Sequence, residues 1–262
     1  MARGSTKVEQ WIMTKSGKVF ICGAGPGDPK LVSIKAMETL NNCDVVLYDR
    51  LVCKELIDQI PETAEKIYVG RSIGDAITHQ DNTNDLMVEQ AKKGKIVLRL
   101  KGGDPFIFGR GGEEAEYLFE HNIEFEIIPG ITSATGSAAY AGIPLTHRKF
   151  ASSIAIVTGH EDPEKKETSI QWDKLAQAVN TIVVLMGIER LDSIVHNLIK
   201  AGLSNDTEIA IIENGTTVEQ RVIKGTLYNI VEIVKSAKIK PPAIIIIGKV
   251  VSLQEKLNWF NK

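Results

Sequence analysis

Short runs of apolar and β-branched residues alternate with longer stretches whose apolar positions recur every three or four residues, almost from end to end. In the first half the short runs are Val19–Cys22, Val45–Tyr48, Ile67–Val69, Ile96–Leu100 and Glu124–Ile128. They read as strands. Between them Leu31–Leu40 and Asp85–Ala91 carry the helical period, and Lys92-Lys93-Gly94 supplies cations and a glycine stop at a helix end. Gly111–Glu120 reads as a further helix, with Glu113, Glu114 and Glu116 suited to the positive end of its dipole. Such alternation predicts a parallel sheet covered by helices on both faces.

The second half has another texture. Ser153–Val157, Thr181–Leu185, Glu208–Glu213, Val218–Lys224 and Ala243–Ile247 read as strands, with Asn214-Gly215 as a hairpin turn between the third and fourth. A hairpin brings antiparallel pairing, so this half is α/β with a mixed sheet. Glu161–Glu167 is highly charged and reads as an exposed loop. The junction falls between Pro129 and Phe150, giving a leader or cloning remnant at 1–16 and domains at 17–135 and 136–262.

The chain has 262 residues, enough to bury a core without disulfides or a structural metal. Lys plus Arg number 31 and Asp plus Glu 33, a net charge of −2 that argues against nucleic-acid binding. The cysteines are Cys22, Cys43 and Cys53, none in a C-x-x-C pair. They suit a reducing cytoplasmic setting and give no zinc site, and no metal is expected. No apolar run approaches the ~18 residues of a membrane span, so no membrane partner is expected.

Two loops carry the candidate chemistry. Gly23-Ala24-Gly25-Pro26-Gly27-Asp28-Pro29 follows a strand and precedes a helix. The third glycine comes one residue early for a dinucleotide fingerprint, and Pro26 removes an amide donor. The segment is either a tight turn with Asp28 capping the helix or a cofactor loop. The second, Leu100-Lys101-Gly102-Gly103-Asp104-Pro105-Phe106-Ile107-Phe108-Gly109-Arg110-Gly111-Gly112, holds five glycines, more than one turn requires. Paired glycines let a ligand lie against bare backbone, beyond the carboxyl ends of strands. Both loops contain Gly-Asp-Pro, which predicts an acidic crevice suited to a cationic ligand such as S-adenosylmethionine. A third segment, Ile128-Pro129-Gly130-Ile131-Thr132-Ser133-Ala134-Thr135-Gly136-Ser137, is rich in small residues. It is either a tightly packed helix or one whose Thr132 and Ser133 hydroxyls meet a ligand.

These three segments, with Asp44-Val45-Val46-Leu47-Tyr48-Asp49-Arg50-Leu51-Val52 and Glu213-Asn214-Gly215-Thr216, resemble the tetrapyrrole methylase family from about Gly17 to Asn261. The resemblance implies two α/β domains with S-adenosylmethionine in the cleft between them, and a homodimer. It implies transfer of two methyl groups in succession to ring carbons of uroporphyrinogen III, giving precorrin-2 for siroheme or cobalamin. Cofactor positions fall on Pro26, Gly102, Gly103, Asp104, Ile107, Thr132, Ser133, Met186 and Gly215. Taken alone, Met186 would read as core filler and Gly215 as a hairpin glycine.

Asp49 matches the family's proton acceptor; its alternative is a strand-end carboxylate paired with Arg50. Arg71 stands where the family has a lysine proton donor, in Gly70-Arg71-Ser72-Ile73-Gly74-Asp75-Ala76, with His79 three residues on. Arginine stays protonated, so it suits a carboxylate clamp better than proton donation. The substrate's eight carboxylates call for cations, and Arg50, Arg110 and Arg148 are candidates beside the motif loops. A ligand-binding regulator without turnover and, more remotely, a dehydrogenase are the competing functions.

Overall fold

The structure is a computed structural model, and residues 17–70, 78–159 and 170–260 are described. Residues 1–16, Arg71 and the charged stretch Glu161–Glu167 lie outside the described residues, as does the side chain of His79. The chain divides into two compact units, one ending at Thr132 and the other beginning at Ser133.

The first unit is a five-stranded sheet in the order β3-β2-β4-β1-β5. Its strands are β1 (Lys18–Gly23), β2 (Val45–Tyr48), β3 (Glu65–Tyr68), β4 (Ile96–Lys101) and β5 (Glu124–Ile128), and every pairing is parallel. Helices α1 (Ile34–Asn42) and α2 (Lys54–Asp58) cover one face through Ala36, Leu40 and Leu56, packed on Phe20, Cys22, Val46 and Leu98. Helices α3 (Thr78–Lys92) and α4 (Gly111–Glu120) cover the other through Met87, Ala91, Ala115 and Leu118, packed on Val19, Ile21, Val45 and Val97. Burial on both faces is why β1 reads as an unbroken apolar run.

The expected Leu31–Leu40 helix is two elements. Pro29–Leu31 forms a 3-10 turn capped by Asp28, whose Oδ1 accepts from Lys30 N at 2.8 Å. Helix α1 then starts after Ser33, whose Oγ accepts from Ala36 N at 3.2 Å. Two successive side-chain caps break what the periodicity joins. The helix read at Asp85–Ala91 extends over Thr78–Lys92.

The second unit has the order β6-β7-β10-β8-β9, with β6 (Ile154–Thr158), β7 (Thr181–Leu185), β8 (Glu208–Glu213), β9 (Arg221–Thr226) and β10 (Ala243–Ile247). β6 and β7 are parallel, while β10 runs antiparallel to both β7 and β8, and β8 antiparallel to β9. Helices α6 (Trp172–Ala178), α7 (Leu191–Lys200) and α8 (Ile230–Ala237) pack on the face of Ile182, Val184, Ile209, Ile211 and Ile245. The opposite face, with Val183, Leu185, Ala210, Ile212, Ile244 and Ile246, takes α5 (Ser133–Tyr140) through Ala134 and Ala138. The small side chains of α5 let its backbone lie close to the sheet.

The connection between β8 and β9 is longer than a two-residue turn. Val218, read as strand, is 94% exposed, and β9 begins at Arg221. Asn214 (φ 48°) and Thr216 (φ 70°) take the left-handed conformation, but Gly215 between them does not. A type I′ turn needs positive φ at both central residues, so Asn214-Gly215 cannot form one here. Instead the Gln220 amide oxygen accepts from Thr216 N at 2.8 Å and closes a wider loop.

Candidate active site

In the first unit β1 and β4 are neighbours, yet the helices that follow them cover opposite faces of the sheet. This is the topological switch point of a parallel sheet, where the two outgoing loops diverge and leave a crevice at the carboxyl ends. Both glycine loops start there. Their backbones are tied across it, with Gly25 N donating to Gly103 O at 3.2 Å and Gly103 N to Gly25 O at 2.7 Å. Gly103 holds this bridge at φ +70°, a conformation that favours glycine. Gly23 and Gly130 crowd the same carbonyl: a Cβ on either would come within 2.5 Å or 2.3 Å of Gly103 O. The ends of β1, β4 and β5 thus meet backbone to backbone.

The acidic crevice expected from the two Gly-Asp-Pro motifs is not present in that form. Asp28 caps its 3-10 turn. Asp104 uses Oδ1 to accept from Phe106 N at 2.8 Å and Oδ2 to accept from Gly130 N at 2.9 Å, stapling the β4 loop to the β5 loop. A short carboxylate beside a glycine-rich loop satisfies local N–H groups before it can line a crevice. The surface left to a ligand is glycine backbone at Gly102 and Gly103, half-buried Pro26, and the exposed side chains of Phe106, Ile107 and Phe108. Backbone and apolar contact suit an adenosyl group. A phosphate-rich ligand would need cations, and Lys101 is buried in an ion pair.

Asp49, at the end of β2, reaches this loop directly. Its Oδ1 accepts from Gly102 N at 3.3 Å and Leu51 N at 3.1 Å. The ion pair it makes is not the alternative one with Arg50 but one with Arg99, whose Nη2 lies 3.7 Å from Asp49 Oδ2. Arg50 follows the carboxylate in the chain and is exposed, whereas Arg99 points along the helix-covered face of β4.

Behind Arg99 lies a charged cluster that the sequence concealed. Glu114 on α4 is 0% exposed, and its Oε1 accepts from Arg99 Nε at 3.1 Å and Lys101 Nζ at 2.8 Å. Glu114 is therefore more than a residue favourable to the helix dipole. Burial would raise its pKa, but Arg99 and Lys101 outweigh that and hold the carboxyl below its ordinary value. Burial, reinforced by Arg99, lowers Lys101 despite the opposing pull of Glu114 and Asp49. Glu114 stays ionised, since two cations face its carboxylate.

In the second unit the carboxyl ends of β6, β7 and β8 lie at one edge of the sheet, given by their pairing with β10 and with one another. Met186, just past β7, is 50% exposed at φ +54°, so it is not core filler. Gly215, just past β8, is required by close approach: a Cβ there would lie 2.1 Å from Ser137 Oγ on α5. Seven non-glycine residues have positive φ among the described residues. Asn122 and Lys238 follow helix ends, while Phe108, Arg110, Met186, Asn214 and Thr216 lie in loops after β4, β7 and β8. Strain of this kind gathers at ligand sites. Thr132 and Ser133 are half-buried at the start of α5.

Of the other cation candidates, Arg110 pairs with Glu113 at 3.5 Å on the surface, and Arg50 and Arg148 are exposed. Arg99 is the neighbour of Asp49 that sequence reasoning missed; a cation in the middle of a mostly apolar strand is its only signal.

Residues 18–231 match the family model of the tetrapyrrole (corrin/porphyrin) methylases. The S-adenosyl-L-methionine-dependent uroporphyrinogen III methyltransferase of Methanosarcina barkeri is 48% identical over 241 residues, covering 92% of this chain and 94% of its own. The siroheme synthase of Pseudoalteromonas atlantica is 48% identical over 266 residues, covering 98% of this chain; the chain spans 57% of that longer protein. The uroporphyrin-III C-methyl transferase of Thermus thermophilus, solved complexed with S-adenyl homocysteine, matches with a TM-score of 0.78 and 37% identity, covering 90% of this chain and 100% of its own. With a family model spanning most of its length and relatives at almost half identity, the chain belongs to the tetrapyrrole methylases.

Proposed function

We propose that this chain is an S-adenosylmethionine-dependent C-methyltransferase that adds two methyl groups to uroporphyrinogen III and yields precorrin-2, for siroheme or cobalamin. The observation that carries the proposal is the contact between Asp49 and the glycine loop, with Asp49 Oδ1 accepting from Gly102 N at 3.3 Å. A carboxylate 25% exposed thereby sits beside bare backbone at the carboxyl end of the sheet. The relative from Methanosarcina barkeri, of similar length, is named an S-adenosyl-L-methionine-dependent uroporphyrinogen III methyltransferase.

S-adenosylmethionine supplies an electrophilic methyl group on a sulfonium. The nucleophile is a pyrrole carbon of the substrate, so the protein's task is alignment and exclusion of water. Gly102, Gly103, Pro26, Asp104 and Ile107, with Thr132, Ser133, Met186 and Gly215, are assigned to the donor. Asp104 acts by stapling the loop and Gly215 by its closeness to α5. For each methyl group gained the ring gives up one proton, and Asp49 is assigned to accept it. Arg50, Arg71, Arg110 and Arg148 are assigned to the substrate carboxylates. An anchoring charge acts on ground and transition states alike, so Arg71→Ala should raise the tetrapyrrole KM with little loss of kcat.

We read the chain as two domains working as a cytoplasmic homodimer, with the boundary moved from 135/136 to 132/133 because α5 packs whole on the second sheet. Burial pushes the Cys22 and Cys43 thiols up to about 12, so they stay protonated. No described helix is long and apolar enough to cross a membrane.

The test is anaerobic incubation with S-adenosylmethionine and uroporphyrinogen III, followed by mass analysis of the tetrapyrrole. A doubly methylated product supports the proposal. Donor binding without turnover would favour a regulator, and nicotinamide binding a dehydrogenase.

A further inference from the structure

From the Arg99–Lys101–Glu114 cluster we infer that Glu114 is a positioning residue for Asp49, acting through Arg99 from the face of the first sheet that α3 and α4 cover. The inference rests on the proposed function, in which Asp49 accepts a proton. Its basis is geometric. The Arg99 guanidinium is held by Glu114 Oε1 at 3.1 Å from Nε, and by the carbonyls of Leu47 at 3.5 Å and Leu100 at 3.2 Å from Nη1. These contacts leave Nη2 directed at Asp49 Oδ2, 3.7 Å away. The other carboxylate oxygen of Asp49 accepts from Leu51 and Gly102. Asp49 is thus oriented from two sides, by the glycine loop and by an arginine that Glu114 fixes in place.

Charge runs through the same contacts. Two cations, Arg99 and Lys101, stand against two carboxylates, Asp49 and Glu114, and Asp49 is the most exposed of the four. Arg50 adjoins Asp49 in the chain. One turn along α4 from Glu114, Tyr117 Oη donates to Asp85 of α3 at 2.5 Å. Removing Glu114 leaves two buried cations facing Asp49 alone, while removing Lys101 leaves one cation shared by two carboxylates. A residue that served only to fill space would give both changes the same effect. A residue coupled to Asp49 gives opposite ones.

The experiment is the kcat–pH profile of the full chain and of Glu114→Gln and Lys101→Met, with S-adenosylmethionine and uroporphyrinogen III. The acid limb is expected to move to lower pH in Glu114→Gln and to higher pH in Lys101→Met, each by at least about half a pH unit. Glu114→Asp, which keeps the charge, should return the limb to within about 0.3 unit of the parent while kcat stays reduced. If Glu114→Gln does not fold, the direction in Lys101→Met decides. Unmoved limbs, or limbs moving in the same direction, overturn the inference while the parent enzyme still turns over. A parent protein without turnover overturns the proposed function and this inference with it.

Discussion

Gly25 and Gly103 exchange both of their backbone hydrogen bonds, at 3.2 and 2.7 Å, across the carboxyl ends of β1 and β4. The bridge joins two loops that leave on opposite faces of the sheet, and it holds Gly103 at φ +70°. The glycines that mark the candidate cofactor surface also set its shape.

Gly103→Ala should weaken S-adenosylmethionine binding by about 5- to 30-fold. An L-residue in the left-handed region costs about 1–2 kcal/mol, and the loop can relieve that only by releasing the bridge. Calorimetry on a protein with a native-like thermal transition checks this. Unchanged affinity would show that the loop does not carry the donor.

Gly215→Ala should destabilise the protein by about 1–3 kcal/mol, because its Cβ meets Ser137 Oγ in a close-packed contact. Adding Ser137→Gly should recover part of that loss, although glycine within a helix itself costs about 0.5–1 kcal/mol. A double-mutant cycle from denaturant melts reads the coupling. Additive effects would mean that the two residues do not compete for one space.

Acid should destabilise the first unit through Glu114. Its carboxyl is held below its ordinary value of 4.5, so its contribution is present above that value and is lost as pH falls through the folded value. Glu114→Gln should lose about 3–5 kcal/mol at pH 7, since Arg99 and Lys101 stay buried without their shared anion. It should also show a shallower fall in Tm between pH 5 and 3 than the parent. Parallel Tm–pH curves would contradict this role.

Much of the fold is legible in the sequence because burial leaves a local trace. Val19 and Ile21 face one helix layer, Phe20 and Cys22 the other, and the unbroken run that results reads as a central strand. Asn214-Gly215 misleads because the turn is set by Gln220, six residues after Asn214, closing on Thr216 N. The site is legible where glycines recur, as at Gly102 and Gly103, and opaque where charge is buried. Arg99 and Lys101 alternate along β4 as solvent-facing residues would, and Glu114 stands where a helix dipole favours any acid. Only folding brings Glu114 to 3.1 Å from Arg99. Met186 is opaque for another reason: its exposure and positive φ arise from the turn after β7, and methionine itself carries no mark of them.

The central claim is that Asp49 takes the proton the ring must lose, and Asp49→Asn tests it most directly. The change keeps the size of the side chain and leaves an oxygen for Gly102 N, but removes basicity. Steady-state methyl transfer, measured beside S-adenosylmethionine binding, should show kcat lower by roughly 10²–10⁴ with donor affinity almost unchanged. A folded Asp49→Asn protein with near-normal kcat would contradict the account and leave Asp49 as the buried cluster's outermost ion pair.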